Sequence, residues 1–288
     1  MGASATSKPS ATVAKIAGLI RQTSSTLPDD ALAALKAAVR REAKGSSARM
    51  ILETLVKNAA LAERQGSPMC QDTGTLTFFV DESLRRKVTP EAIAKAVELA
   101  TAKGWLRRNT IESVSGRSVD TNVCDGAPVI HYVRGGVGRK ARVTLIMKGG
   151  GSENMSRQYS LPDQSLGAGR DLEGVRKCVL DAVQRAQGYG CAPGILGVCI
   201  GGDRACGYEE SKHQLLRRLD DSSPEPELAK LERKLLKEAN SLGIGPMGLG
   251  GKTTLLGVKI GSRPRLPASF FVTVAYLCWA ARRQTMEF

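Results

Sequence analysis

The chain has 288 residues, 42% apolar and 24% charged, which is enough to build a sizeable core and argues against wholesale disorder. Its longest nearly apolar stretch, 268–281, falls short of the roughly 20 residues that cross a bilayer, so no membrane role is expected. Forty-two basic against 28 acidic residues give a net charge of +14, a surface that draws anionic substrates or an acidic partner; the charge is scattered in pairs and one triplet, Arg85-Arg86-Lys87, and aromatics are only 4%, so there are few platforms for stacking single-stranded nucleic acid.

Residues 1–28 lack Asp and Glu and are rich in Ser, Thr, Ala and Lys, a composition like that of an organelle transit peptide. Gly2 with Thr6 fits a loose myristoylation pattern. The simpler reading is a flexible tail over 1–11 ahead of a helix over 12–22. Pro28-Asp29-Asp30 predicts a capped helix running to about residue 43. Apolar residues at 51, 52, 55, 56, 59 and 60 form a helical stripe over 47–64 that stops at Gly66. A short strand over 76–80 follows, and Thr89-Pro90-Glu91 opens a helix reaching about residue 102.

Two apolar segments, 128–133 and 142–147, flank R-G-G-V-G-R-K at 134–140. A hairpin explains those glycines more simply than a nucleotide site. A glycine-rich loop at 149–151 precedes a helix over 171–187 with Leu172, Val175, Val179 and Val183 on one side. Next come a buried strand over 194–200, a helix from about 205 to 219, a loop at 222–226 and a charged helix over 225–240. That last helix carries Glu227–Lys230 and Lys234–Glu238 as expected ion pairs. Strands over 253–260 and 270–277 complete the pattern. The fold class is α/β: mixed β-sheets flanked by helices, with a helix-rich N-terminal third.

Seven cysteines, an odd number at irregular spacings, with no secretory apolar segment, fit a reducing cytoplasm better than a disulfide framework. Cys-x-x-Cys is absent, so neither a zinc ribbon nor a ferredoxin pattern is present. On the residues alone, core filler is the default for each cysteine, and Cys199 sits inside an apolar run. Cys124, Cys178 and Cys206 take the same reading. With His131 and His213 as the only histidines, a three-histidine metal site is impossible within the chain, and G-x-S-x-G is missing. Gly250-Gly251-Lys252-Thr253 resembles the end of a P-loop, but Pro246 stands where the motif needs glycine. In C-Q-D-T-G at 70–74, Asp72 reads either as a proton carrier or as a cap on turn amides. In K-G-G-G-S-E-N at 148–154, the glycines either let backbone approach a ligand or form a flexible connection.

Taken together and in order, these segments resemble the α-subunit, or N-terminal half, of the class I iron–sulfur hydro-lyases, the family of class I fumarase and tartrate dehydratase. The stretches are C-Q-D-T-G at 70–74, L-R-R-N at 106–109, K-G-G-G-S-E-N-M-S at 148–156, C-A-P-G-I-L-G-V at 191–198, N-S-L-G-I-G-P-M-G-L-G-G-K-T-T at 240–254 and C-W-A-A-R-R at 278–283. K-G-G-G-S-E-N and G-I-G-P-M-G-L-G-G look closer to the fumarase branch. The resemblance implies an α-type catalytic domain over 12–288 in which Cys70, Cys191 and Cys278 hold a 4Fe–4S cluster with one iron left open as a Lewis acid. The implied activity is reversible hydration of fumarate to malate. Asp72 is the implied acid or base; Gln71, Arg107 and the Gly150 amide bind substrate, and Lys148 adds positive potential.

The resemblance further implies a separate β-subunit, a dimer of αβ units, and a chain that is catalytically incomplete by itself. Leu266 stands where the resemblance calls for a histidine, which leaves tartrate or mesaconate (methylfumarate) as alternative substrates. A basic nucleic-acid-binding protein without a cluster is the non-enzyme alternative.

Overall fold

The computed structural model describes residues 9–135 and 140–288. The myristoylation pattern, most of the expected tail and the centre of the 134–140 turn lie outside them. The chain forms two compact units. The first comprises Met1–Thr26, Ala60–Met147 and Arg282–Phe288; the second comprises Leu27–Ala59 and Lys148–Ala281.

In the first unit, helix α1 (Ala11–Ser25) starts at Ser10, whose hydroxyl accepts from the Val13 amide. Helix α4 (Pro90–Ala102) starts as the sequence predicts, with Thr89 accepting from the Ala92 amide and proline in the first turn. The sheet contains β1 (Thr75–Asp81), β2 (Val129–Val133), β3 (Arg142–Lys148) and β8 (Arg283–Glu287) in the order β2-β1-β3-β8. Val13, Ile16 and Ile20 of α1 and Ile93 and Val97 of α4 share one core with Phe78, Val80, Val143 and Leu145 of the sheet. The expected β2–β3 hairpin is not formed. β2 pairs parallel to β1, from Thr77↔Val129 to Asp81↔Val133, and β3 lies on the other side of β1. The reason is burial: β1 is buried along most of its length and takes the centre, while β2 is half-exposed throughout and takes an edge.

In the second unit, helix α2 (Asp29–Arg41) begins after Pro28, which provides no side-chain cap; Asp29 and Asp30 instead place acid in the first turn. Helix α3 (Ser47–Gln65) begins here and runs to Gly66, whose φ of 60° ends it. The sheet has the order β4-β7-β5-β6, from β4 (Arg157–Ser160), β5 (Gly194–Gly201), β6 (Leu255–Arg263) and β7 (Phe271–Leu277). Only the β5–β6 pair is parallel; β4–β7 and β5–β7 are antiparallel.

Val175, Val179 and Val183 of α6 (Leu172–Ala186) and Leu228, Leu231 and Leu235 of α8 (Pro226–Ser241) pack on one face with Leu196 and Val198. Strand alternation turns Gly197 to the opposite face, where α7 (Arg204–Gln214) lies so close that a Cβ on Gly197 would strike the Ser211 carbonyl. The expected ion pairs within α8 give way to pairs with α6: Glu238 holds Arg176 at 3.1 Å and Lys234 reaches Glu173 at 3.9 Å. Helix α7 ends at Gln214 rather than 219, and Arg217 turns to Asp221 and Glu232, both at 2.8 Å.

Candidate functional site

The residues singled out by the sequence fall into two loci, one in each unit. In the second unit, Cys191 and Cys278 come from the loops at the start of β5 and the end of β7. The Trp279 amide donates to the Cys191 carbonyl at 3.2 Å, which ties the two loops together. Cys191 adopts φ 56°, a left-handed conformation that a turn rather than a strand imposes. A third segment braces this loop. The Met247 amide donates to the Ala192 carbonyl at 3.0 Å, and Gly188 lies so close to Met247 and Gly248 that a side chain there would overlap their backbone. Asn240 secures the far end of that segment, its side-chain oxygen accepting from the Thr254 and Leu255 amides. The glycine-rich run 240–254 is thus a brace for the cysteine loop. Its Lys252 amide donates to the buried Glu42 carboxylate at 2.9 and 3.1 Å, so that P-loop-like turn is already filled by an acid of the chain itself.

Under the same loop lies Tyr276, 2% exposed, its ring packed against Gly190 and Gly194, where a Cβ would collide with it. Its hydroxyl has no hydrogen-bond partner. Burial raises its pKa, and the charges of Cys278 and Cys191 raise it further, so it remains a protonated donor. Beside it, Lys148 is 3% exposed and pairs with Glu153, which also holds Lys212 at 2.7 Å. Ser156 accepts from Lys148 Nζ at 3.0 Å and from the Tyr276 amide at 3.3 Å. Burial brings the Lys148 pKa down to about 8, against the opposing pull of Glu153. The glycine-rich 149–151 stretch is not an open loop. Gly149 caps a short helix, α5 (Gly150–Asn154), which places the Gly150 amide in a first turn.

In the first unit, Cys70, Gln71 and Asp72 form a turn before β1. The Asp72 amide donates to Cys70 Sγ at 3.4 Å, and Asp72 Oδ1 accepts from the Gly74 amide at 2.8 Å, the capping geometry of an Asx turn. Thr73 joins this turn to the 106–109 motif: its hydroxyl bonds the Arg107 carbonyl at 2.7 Å and accepts from the Arg107 amide at 2.9 Å, while its own amide donates to Asn109 Oδ1. The buried Asn122, in a left-handed conformation at φ 59°, bonds the Arg107 carbonyl, the Asn109 and Thr110 amides and Thr101. With its backbone held this way, the Arg107 side chain projects to solvent and makes no ion pair among the described residues, whereas Arg108 reaches Asp120 at 3.9 Å. Arg282, 1% exposed, donates from Nη1 to the Asp72 carbonyl at 2.6 Å.

None of the seven cysteines forms a disulfide. Core filler holds for Cys178 and Cys199, whose pKa values burial pushes up to about 12. It fails for Cys124 and Cys206, which are exposed and half-exposed; both sit outside the apolar faces of their segments. Cys70, Cys191 and Cys278 are exposed or half-exposed loop residues, as cofactor ligands need to be. A set of thiol donors suits an iron–sulfur group. Two observations fit it: the backbone N–H directed at Cys70 sulfur, and the orphaned Tyr276 hydroxyl beneath Cys191 and Cys278. Among the described residues no group of three or more His, Cys, Asp or Glu side chains is placed to hold a metal ion.

Sequence reasoning did not single out Tyr276, Ser156, Lys212 or Asn122, and gave Arg282 no role of its own. For Arg282 a signal existed, its place in C-W-A-A-R-R. Asn122 lies in no motif. Leu266 is 74% exposed, on the loop between β6 and β7. Among the described residues no helix is long and apolar enough to cross a membrane.

A sequence model of the family described as fumarate hydratase (Fumerase) matches residues 13–287. Over 270 residues the chain is 48% identical to a Geobacillus stearothermophilus protein named for class I fumarate hydratase; the match takes in 92% of this chain and 52% of that one. It is 34% identical over 272 residues to a Methanocaldococcus jannaschii protein named for the α-subunit of L(+)-tartrate dehydratase, covering 92% and 93%. Against the L(+)-tartrate dehydratase α-subunit of Escherichia coli K12 it is 32% identical over 276 residues, covering 94% and 88%. The chain therefore spans about half the length of the Geobacillus relative and most of the length of the two α-subunits.

Proposed function

Because the chain belongs to the fumarate hydratase family, we propose that it is the cluster-bearing α-type part of a hydro-lyase that reversibly adds water to fumarate to give malate. The observation that carries this is the bond between the Trp279 amide and the Cys191 carbonyl, which ties two accessible loop cysteines together, with Cys278 acting electrostatically on Lys148 of the Lys148–Glu153–Lys212 group. Cys70, Cys191 and Cys278 would hold a 4Fe–4S cluster. When bound, such a cluster with one iron lacking a protein ligand supplies a Lewis acid for substrate oxygens.

The chain's own residues do the rest. Asp72 moves the proton at the carbon next to the substrate carboxylate; its bond to Gly74 fixes the carboxyl in one orientation, which is what proton transfer requires. Arg107, exposed and held from behind by Thr73 and Asn122, pairs with a substrate carboxylate, a planar fork against a planar anion. Gln71 and the Gly150 amide hydrogen-bond further substrate oxygens. The buried Lys148 supplies positive potential toward the dianion. Fumarate is placed first because the 48% identity is to the fumarate hydratase-named relative. Leu266 favours a second reading, hydration of methylfumarate, since an apolar side chain stands there in place of the histidine of the resemblance.

The partner is a separate β-type chain, in a dimer of αβ units within a reducing cytoplasm. The test is anaerobic co-expression with a β-type chain, iron and sulfide reconstitution, and turnover of fumarate, methylfumarate and tartrate side by side. Fumarate should turn over fastest, and Cys191→Ala should abolish both cluster and turnover. Equal turnover in the iron-free protein would sink the proposal.

A further inference from the structure

Arg282 is a buried charge of the first unit. Its side chain is 1% exposed, yet only Nη1 has a partner, the Asp72 carbonyl; Nε and Nη2 have none. No carboxylate pairs with it among the described residues, whereas two other buried cations are paired: Lys259 with Asp221 at 2.8 Å and Lys148 with Glu153. A guanidinium held out of water without an anion costs several kcal/mol, so the fold must gain something from keeping it. The residue it touches is the one that matters: the Asp72 amide faces Cys70 sulfur and the Asp72 carbonyl faces Arg282.

We infer that Arg282 is the counter-charge for the anionic, thiolate-ligated cluster at Cys70, its unpartnered N–H groups directed to that anion and its third donor fixing the Asp72 turn. This rests on the cluster reading above. A resident group is favoured over exchanging substrate because Arg282 is buried, whereas Arg107 stands in solvent where a diffusing dicarboxylate meets it. Arg282 is thus a positioning residue, with no step of its own in the reaction.

The experiment compares wild type, Arg282→Met and Arg282→Lys as full chains, each iron-free, reconstituted with iron and sulfide, or iron-free with added fumarate. Melting temperature and the half-life of cluster absorbance against a chelator are measured. Iron-free Arg282→Met should melt no lower than wild type, because the unpaired charge is gone. Its reconstituted form should lose the cluster about tenfold faster or more, and Arg282→Lys should recover part of that retention.

An equal drop in melting temperature in the iron-free and reconstituted forms would mark a merely structural arginine and overturn the inference. So would a wild-type half-life in Arg282→Met. An Arg282-dependent rise with fumarate alone would overturn the choice of the cluster as the anion. A wild type that takes up no cluster, in contrast, brings down the cluster reading itself, and the inference with it.

Discussion

Asp72 caps a turn and is also the proton-transfer group of the proposed function. Its Oδ1 caps the Gly74 amide, a bond that asparagine also makes. Asp72→Asn therefore keeps that turn bond and removes the ionisable group. Its melting temperature should match the wild type while kcat falls about 10²- to 10⁴-fold; a parallel loss of stability would return Asp72 to a turn role alone. Lys148 offers a different readout. Its folded pKa is about 8 against the ordinary 10.5, so the unfolded chain holds this proton more tightly. Burial of the charged form costs stability in full below about pH 8, and the cost fades as pH rises toward the unfolded value. In the iron-free chain, the melting temperature of wild type relative to Lys148→Met should therefore climb between about pH 8 and pH 10. A flat difference would mean that the lysine is not desolvated.

Elements place these side chains, and the elements were unevenly legible. The helix beginning at Thr89-Pro90-Glu91 and the stripe over 47–64 could be read because capping and the 3.6-residue period are local properties. The hairpin expectation at 128–147 failed because strand pairing is decided by which strand is most buried, and β1 took the centre of the sheet. The ion pairs expected within α8 failed for a related reason: α6 offered partners the sequence spacing does not show. The 240–254 run was recognisable as a motif, but its work as a brace was not. That work predicts the effect of Gly188→Ala, whose new Cβ would overlap the Met247–Gly248 backbone. The variant should lose about 1–3 kcal/mol of stability, read by denaturant unfolding, and take up iron more weakly. Wild-type stability and uptake would show that the brace yields freely.

Over the whole molecule the net charge is +14, spread in small groups rather than one tract. In the proposed function, a field of that sign would draw a dicarboxylate toward the chain. Raising ionic strength to about 0.15 M, where the screening length is about 8 Å, should lower kcat/KM severalfold and leave kcat unchanged. If both constants hold steady, the charge has no part in substrate capture. The α/β class, the helix starts and the ordered motifs were all determined by the sequence alone, since period, caps and residue order are written along one dimension. Which cysteines are accessible, that Trp279 locks Cys191, that Tyr276 is orphaned beneath them and that Arg282 is buried against Asp72 were decided only by the tertiary structure. Burial and hydrogen-bond partnership depend on residues far apart in the chain, and no local pattern records them.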